Sequence, residues 1–409
     1  MTQLRDAIAA LAQRIEEQWK NHCYDYAAFP EIACAEIRAL GDLSIFGEQS
    51  LQDWLLSVGE LPKQFDPHQK FGDPPITLFH SGKFLIDAYV WLTPLLAVHD
   101  HAFCGAFAVV SGSTVQVTYH FDERQEIARN FRVGDLIPVR IEAMPPGSIM
   151  PIIAGEDFIH ATWHLAKPTI SLCVRTVKLE EDYYPQFHYY PPHFALADLP
   201  SPITRRFLSL LSLQSQIYGR EALEALVCKL LDQGDSLLAF HCLRKYISLT
   251  ADWKDAEPVI DRLQSLYPAL FTNLREMLRW THREAWHYDL SKAAEPEQRL
   301  LLGLLQTYSS QEQIVQAMRS LYPGQDPAAL LIRWIESASA SGAISAEVTP
   351  ANSTLIRLAL KKLGGADGLA VSEARGPLEV QLLGQLQNLE ALKPLFMEAP
   401  RDKSVKTSC

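Results

Sequence analysis

The chain has 409 residues, 48% of them hydrophobic, and a formal net charge of −11. That length and apolar content support a sizeable core and roughly two or three domains. The acidic balance argues against a nucleic-acid partner, which needs a basic face, and no uncharged apolar run reaches the ~18 residues of a membrane span.

Met1–Lys20 is amphipathic and charged throughout, so it reads as a helix rather than a secretory signal. Leu4, Ile8, Leu11, Ile15 and Trp19 recur at steps of three and four, which gathers them on one helical face. That face is expected to pack on the outside of a barrel. Ala33–Leu43 and Ser50–Val58 read as short helices, and Lys63–Pro75, rich in Asp, Pro and Gly, as a loop. Residues 1–75 are therefore expected as a helical flank.

From Ile76 to about Lys178 the pattern turns to strands. Phe84–Trp91, Ala106–Val110, Val115–His120, Leu136–Glu142, Phe158–Trp163 and Thr169–Thr176 are rich in β-branched and aromatic residues and bounded by Gly, Pro, Asn or Asp. Short strands at regular spacing with no long helix between them favour a barrel or jelly roll over residues 76–180.

Within it lies Ala97–Gly112, A-V-H-D-H-A-F-C-G-A-F-A-V-V-S-G. On a strand, residues i and i+2 point to one face. His99 and His101 would aim into one pocket, as two nitrogen ligands to one metal do, with Asp100 turned the other way. Downstream, a Pro/Gly turn, an apolar run and a Gly-Glu-Asp turn lead to Phe158-Ile159-His160. In a double-stranded barrel such a histidine returns beside the H-x-H strand. His99, His101 and His160 would then form a facial set with open positions, and imidazole suits iron, copper, zinc or nickel. His164 competes with His160 as third ligand, since a strand puts both on one face. Tyr119 and His120, on the strand after Gly112, are further candidates to face the pocket.

Residues 181–200 form a bridge crowded with tyrosine, phenylalanine, histidine and proline, expected to be extended between two domains. From Ser201 the period becomes helical, from Phe207–Leu213 through Leu378–Leu392, which marks an all-α domain over 201–397 and a polar tail over 398–409. Ser265-Leu266-Tyr267-Pro268 with Trp280, and Ser320-Leu321-Tyr322-Pro323 with Trp334, make a weak repeat, short of the copies a solenoid needs. The seven cysteines are scattered, odd in number and without C-x-x-C pairs, so a reducing, cytoplasmic compartment is expected.

The stretch from about Lys83 to Arg175 resembles the cupin superfamily, and within it the cysteine dioxygenase (thiol dioxygenase) branch. Gly82-Lys83-Phe84, the strand ending at Trp91, His99-Asp100-His101 and the strand ending at Gly112 carry the likeness. Gly105 stands where most cupins place a glutamate ligand; thiol dioxygenases also lack that glutamate. The resemblance implies an α+β chain: an N-terminal double-stranded β-barrel with flanking helices, then the all-α domain. It implies Fe(II) on His99, His101 and His160, with other divalent ions as alternatives, and O2 as co-substrate. It further implies oxygenase chemistry on a small thiol or amino-acid-like substrate.

Two departures stand out. Where the family reads Ser-x-His-x-Tyr, this chain reads Ser171-Leu172-Cys173-Val174-Arg175. The family's carboxylate-binding arginine has no match near Pro74-Pro75. Ser171, Cys173 and Arg175 share one strand face, so they are expected to line the substrate, with Arg175 and Tyr119 as catalytic candidates. Arg175 reads as an anion clamp, or else as half of a structural salt bridge. Two other classes compete: a non-oxidative metal-dependent cupin such as an isomerase or lyase, and a scaffold whose helical domain recognises a protein or carrier partner.

Overall fold

The computed structural model describes residues 2–65, 72–73, 75–93, 97–128, 130–177, 185–197, 201–250, 253–268, 274–280, 287–345, 356 and 390–396. The expected tail 398–409, the first part of the bridge and most of the last two expected helices lie outside the described residues. The chain divides into two compact units, Met1–His282 and Arg283–Cys409.

The first unit opens with α1 (Thr2–Asn21), α2 (Phe29–Arg38) and α3 (Glu48–Ser57). Eleven strands follow among the described residues: β1 (Ile76–His80), β2 (Phe84–Trp91), β3 (Val98–His99), β4 (Gly105–Ser111), β5 (Thr114–Ala128), β6 (Phe131–Met144), β7 (Ile149–Ile152), β8 (Ile159–His164), β9 (Thr169–Thr176), β10 (His188–Tyr190) and β11 (Phe194–Leu196). They form two antiparallel layers. One is a five-stranded sheet in the order β1-β2-β9-β4-β7; the other is a closed barrel, β10-β11-β6-β5-β8-β3.

β9 lies at the centre of the five-stranded sheet and every residue in it is buried. A strand covered on both faces reads as an apolar run rather than an alternation. Its even-numbered residues, Ile170, Leu172 and Val174, join Phe84, Ile86, Ala88 and Ala106 against Leu11, Ile15 and Trp19 of α1 and Phe29 and Ile37 of α2. The helical face read from the spacing of Leu4 to Trp19 is thus the one that covers this sheet. The odd-numbered face carries Ser171, Cys173 and Arg175; Cys173 packs with Tyr89, Trp91, Ile152, Phe103, Phe107 and Phe158.

Two strands run longer than their hydrophobic pattern. β5 and β6 pair from Thr114↔Met144 out to Ala128↔Phe131. The charged residues of that outer ribbon, Asp122, Glu123, Arg124 and Glu126, are exposed and break the apolar signal without ending the ladder. The bridge, read as extended, supplies β10 and β11: β10 pairs with β3, and β11 with β6.

α4 (Pro202–Gln233), α5 (Ser236–Leu249) and α6 (Trp253–Leu266) follow in the first unit, with a further helical segment over residues 274–280. Gly219, at φ 80°, interrupts α4 between the helices that the apolar spacing predicts over Phe207–Leu213 and Glu221–Leu231. Phe131 and Val133 of β6 and Phe194 and Leu196 of β11 share one core with Leu223, Phe240, Leu243 and Ile260. The second unit contains α7 (Pro296–Thr307), α8 (Gln311–Leu321) and α9 (Pro327–Ser341). Tyr322 meets Trp334 edge to face there, 5.5 Å between ring centroids. No helix among the described residues is long and apolar enough to cross a membrane.

Candidate metal centre

His99 ends β3 and pairs with His160 of β8 across the ladder. His101 follows just past the end of β3. The two-residue strand is enough to set the first histidine, and the chain bends to bring in the second. The ring centroids lie 4.8 Å apart for His99–His101 and 4.9 Å for His99–His160 and for His101–His160. One ring nitrogen from each lies within 4.8 Å of the other two, and all three residues are buried. Bonds of about 2.1 Å to one ion would draw such nitrogens to roughly 3 Å apart, a closure within reach of small side-chain rotations.

The electrostatics favour neutral ligands. Burial pushes His99 down to about 4 and holds His101 and His160 well below the ordinary imidazole range. A neutral imidazole has the lone pair a metal needs. His99 Nδ1 donates to the Ala97 carbonyl at 3.1 Å. A carbonyl can only accept, so the proton sits on Nδ1 and the ring's lone pair on Nε2. Such a bond fixes both tautomer and ring direction. Among the described residues neither ring nitrogen of His160 has a hydrogen-bond partner, nor has His101 Nδ1. Buried polar atoms are normally paired, and a cation would take one ring nitrogen from each of these histidines. The donor set therefore fits a divalent metal.

Asp100 points away, as alternation required. Its carboxylate accepts from the Phe187 amide at 2.6 Å and the Tyr189 hydroxyl at 3.0 Å. Burial pushes that carboxyl up to about 7, against those two bonds. Asp100 thereby ties β10 to the loop that carries the histidines.

No fourth ligand comes from position 105. A Cβ on Gly105 would stand 2.1 Å from the Val174 carbonyl oxygen and 2.8 Å from Arg175 Cα. β4 passes too close to β9 there for any side chain, glutamate included.

The other residues singled out from sequence are placed as follows. His164 lies two rows along β8 from His160; its Nδ1 is 3.1 Å from Thr114 Oγ1 and its ring stacks on Trp91 at 4.2 Å. Tyr119 sits opposite Ile159, one residue from the Thr118–His160 pair. Alternation turns it to the sheet face away from His160. Ser171 Oγ accepts from Trp91 Nε1 at 2.8 Å. Cys173 is a buried neutral thiol, pushed up to about 12 by desolvation. Arg175 Nε donates to Asp87 Oδ2 at 2.9 Å, with both side chains buried. Burial works against its charge, but Tyr89 and Asp87 outweigh it and the guanidinium stays ionised. It also lies 5.0 Å over the Phe103 ring.

Several residues of the site were not singled out from sequence. Phe103 meets His101 edge to face at 4.7 Å, and Phe158 lies 4.6 Å from His160. His188 of β10 is the ladder partner of His99, 6.2 Å away between rings. Asp87 had a signal: it is the lone charge in F-L-I-D-A-Y-V-W, and a charge in a buried strand needs a counter-ion.

Neither a protein-family model nor a curated protein sequence matches the chain. Among solved structures it is similar to hydroquinone 1,2-dioxygenase PnpCD in complex with Fe3+, at 10% identity and a TM-score of 0.20 over 31% of this chain and 40% of that one. It is also similar to E. coli ycfD, at 11% identity and a TM-score of 0.17 over 40% of this chain and 43% of that one. The chain spans less than half the length of either structure. Likeness this slight says nothing of activity, and the metal assignment stands on the buried histidines themselves.

Proposed function

We propose that this chain is an iron-dependent oxygenase of the cupin, cysteine dioxygenase-like type, acting with O2 on a small thiol or amino-acid-like substrate. One observation carries the proposal: three buried imidazoles held neutral at one point, with His160 lacking any other described partner for either ring nitrogen. Two antiparallel layers around that point support the cupin assignment.

His99, His101 and His160 would hold ferrous iron, which supplies toward O2 a redox chemistry that no side chain offers. Three neutral ligands leave the ion's charge uncompensated, so an anionic donor of the substrate is favoured beside it. Phe103 and Phe158 flank the histidines and keep water from the reacting groups. Arg175, held by Asp87, together with Ser171 and Cys173 would form the wall against which the substrate is oriented. Tyr119 has no part in this scheme. Free cysteines among the described residues are in keeping with a cytoplasmic, reducing setting.

The test is anaerobic loading with Fe(II), metal analysis, and O2 uptake against a panel of thiols, amino acids and aromatic acids. His99→Ala, His101→Ala and His160→Ala should each lose most of the iron while remaining folded. Full iron occupancy in the His160 variant would refute the ligand set. No substrate-dependent O2 uptake across the panel would refute the oxygenase.

A further inference from the structure

Beside the three histidines lies a polar side chain that they do not explain. Gln116 of β5 is completely buried, and among the described residues neither its carboxamide oxygen nor its nitrogen has a hydrogen-bond partner. A buried amide left without partners is destabilising, and packing alone would be served better by an apolar residue of that size. The ladder fixes where it points. Thr118 faces His160, Gln116 faces Thr162, and Thr114 faces His164 across β5 and β8. Residues opposite one another or two apart share a face, so Gln116 projects on the His160 side, one row along. Rows on a strand are roughly 7 Å apart, the span from a metal-bound atom to a group a few bonds away in a small molecule. The next row is closed by His164, packed on Trp91 and bonded to Thr114.

We propose that Gln116 is the specificity residue of this site and marks a subsite that takes a neutral amide of the substrate. The inference rests on the metal assignment above. Charge excludes the obvious rival, a second carboxylate. The histidines are neutral, and Arg175 already has the Asp87 carboxylate at 2.9 Å. That cation is thereby committed, and Asp100 adds a further buried carboxyl, already held by Phe187 and Tyr189. A carboxylate buried beside Gln116 would lack a cation of its own. A carboxamide offers one acceptor and two donors, matched by another amide.

The probes are cysteinamide and cysteine, which share thiol and amine and differ in amide against carboxylate. Each is titrated anaerobically into the full chain loaded with Co(II), followed by the thiolate-to-cobalt absorption band. Cysteinamide should bind roughly 10- to 100-fold more tightly than cysteine. Gln116→Met should abolish that preference, leave cobalt affinity unchanged and raise the thermal midpoint of the metal-free protein, because its unmatched polar atoms are gone. A packing-only role predicts the same rise in the midpoint, but with no amide preference for the substitution to abolish. Gln116→Asn, shorter by one methylene, should bind the amide with intermediate strength and serves if the Met variant fails to fold. Cysteine binding as tightly as cysteinamide overturns the subsite, as does a Met variant that keeps the preference or neither probe binding. If wild type takes up no cobalt, the metal assignment fails and this inference with it; cobalt uptake without the preference sinks the subsite alone.

Discussion

Removing Asp87 tests the wall of the site most directly. Asp87 and Arg175 form a hydrogen-bonded ion pair, with side chains 1% and 8% exposed. Asp87→Leu strands the guanidinium in the interior, and breaking a buried pair in this way costs about 3–5 kcal/mol. Replacing both residues, Asp87→Leu with Arg175→Met, removes the charge together with its partner and should cost far less, between zero and about 1 kcal/mol. The cycle should thus show strong coupling in urea denaturation of the metal-free protein. A second consequence is electrostatic. The positive charge of Arg175 acts on His101, where it adds to the effect of burial in disfavouring protonation. It opposes a metal cation at the same place. Without Asp87 the opposition is stronger, so Asp87→Leu should weaken Co(II) binding, whereas Arg175→Met should not. An Asp87→Leu variant within about 1 kcal/mol of wild type, with a double variant no better than the single ones, would refute the buried-pair account.

Three further outcomes follow from the same geometry. His99 is held at about 4 against an ordinary 6.5, so between those values the unfolded chain binds the proton and the folded one does not. Stability rises with pH in that window: measured against His99→Gln, the metal-free wild type should lose about 3 kcal/mol as pH falls from 6.5 to 4, and no such differential loss would count against a neutral buried ligand. Gly105→Ala should destabilise by about 1–3 kcal/mol or more, because its methyl would collide with β9 backbone; a neutral effect in thermal denaturation would mean that the strands are not so closely apposed. A fragment of residues 1–282 should fold and bind Co(II) as the whole chain does, since all three histidines and their supporting strands lie in the first compact unit; loss of binding would show that the second unit completes the site.

Legibility from sequence followed physical period. His99, His101 and His160 could be read because i, i+2 spacing and a turn before a strand are local signals, and the structure brings these three side chains together. β2, β8 and β9 were visible as apolar or β-branched runs. The outer halves of β5 and β6 were not, because exposed charges replace apolar residues where a ladder extends into solvent. β10 and β11 were hidden for another reason: three-residue strands flanked by prolines carry no period to detect, and only pairing with β3 and β6 makes them strands. Arg175 was expected on an inward face, but its partner sits on a strand 88 residues earlier in the chain, a distance at which sequence pattern carries no pairing information. Gln116 sat in plain view between two valines, on the face that alternation gives to Thr114 and Thr118; only the register against His160 turns it from a surface-type residue into part of the site.

The missing carboxylate ligand and the paired arginine have a common origin. Gly105 and Arg175 are ladder partners on β4 and β9. The close approach that forbids a side chain at 105 removes the position from which a glutamate would reach the metal. On β9's other side, β2 places Leu85 opposite Arg175 and Asp87 two pairs further along, opposite Cys173, so the guanidinium reaches its carboxylate diagonally across the sheet. No carboxylate comes from position 105, and of the buried carboxyls nearby Asp87 holds Arg175 while Asp100 is turned to Phe187 and Tyr189. Under the proposed metal assignment, the ion's charge is what an anionic donor of the substrate would balance. A single anionic donor at the metal meets most of that demand, and a second anion on the same molecule would enter an interior with nothing left to pair it. On the proposed assignment, strand spacing at one glycine would bear on substrate choice, favouring a ligand with one ionisable donor and an otherwise neutral body, the kind of molecule Gln116 is proposed to recognise.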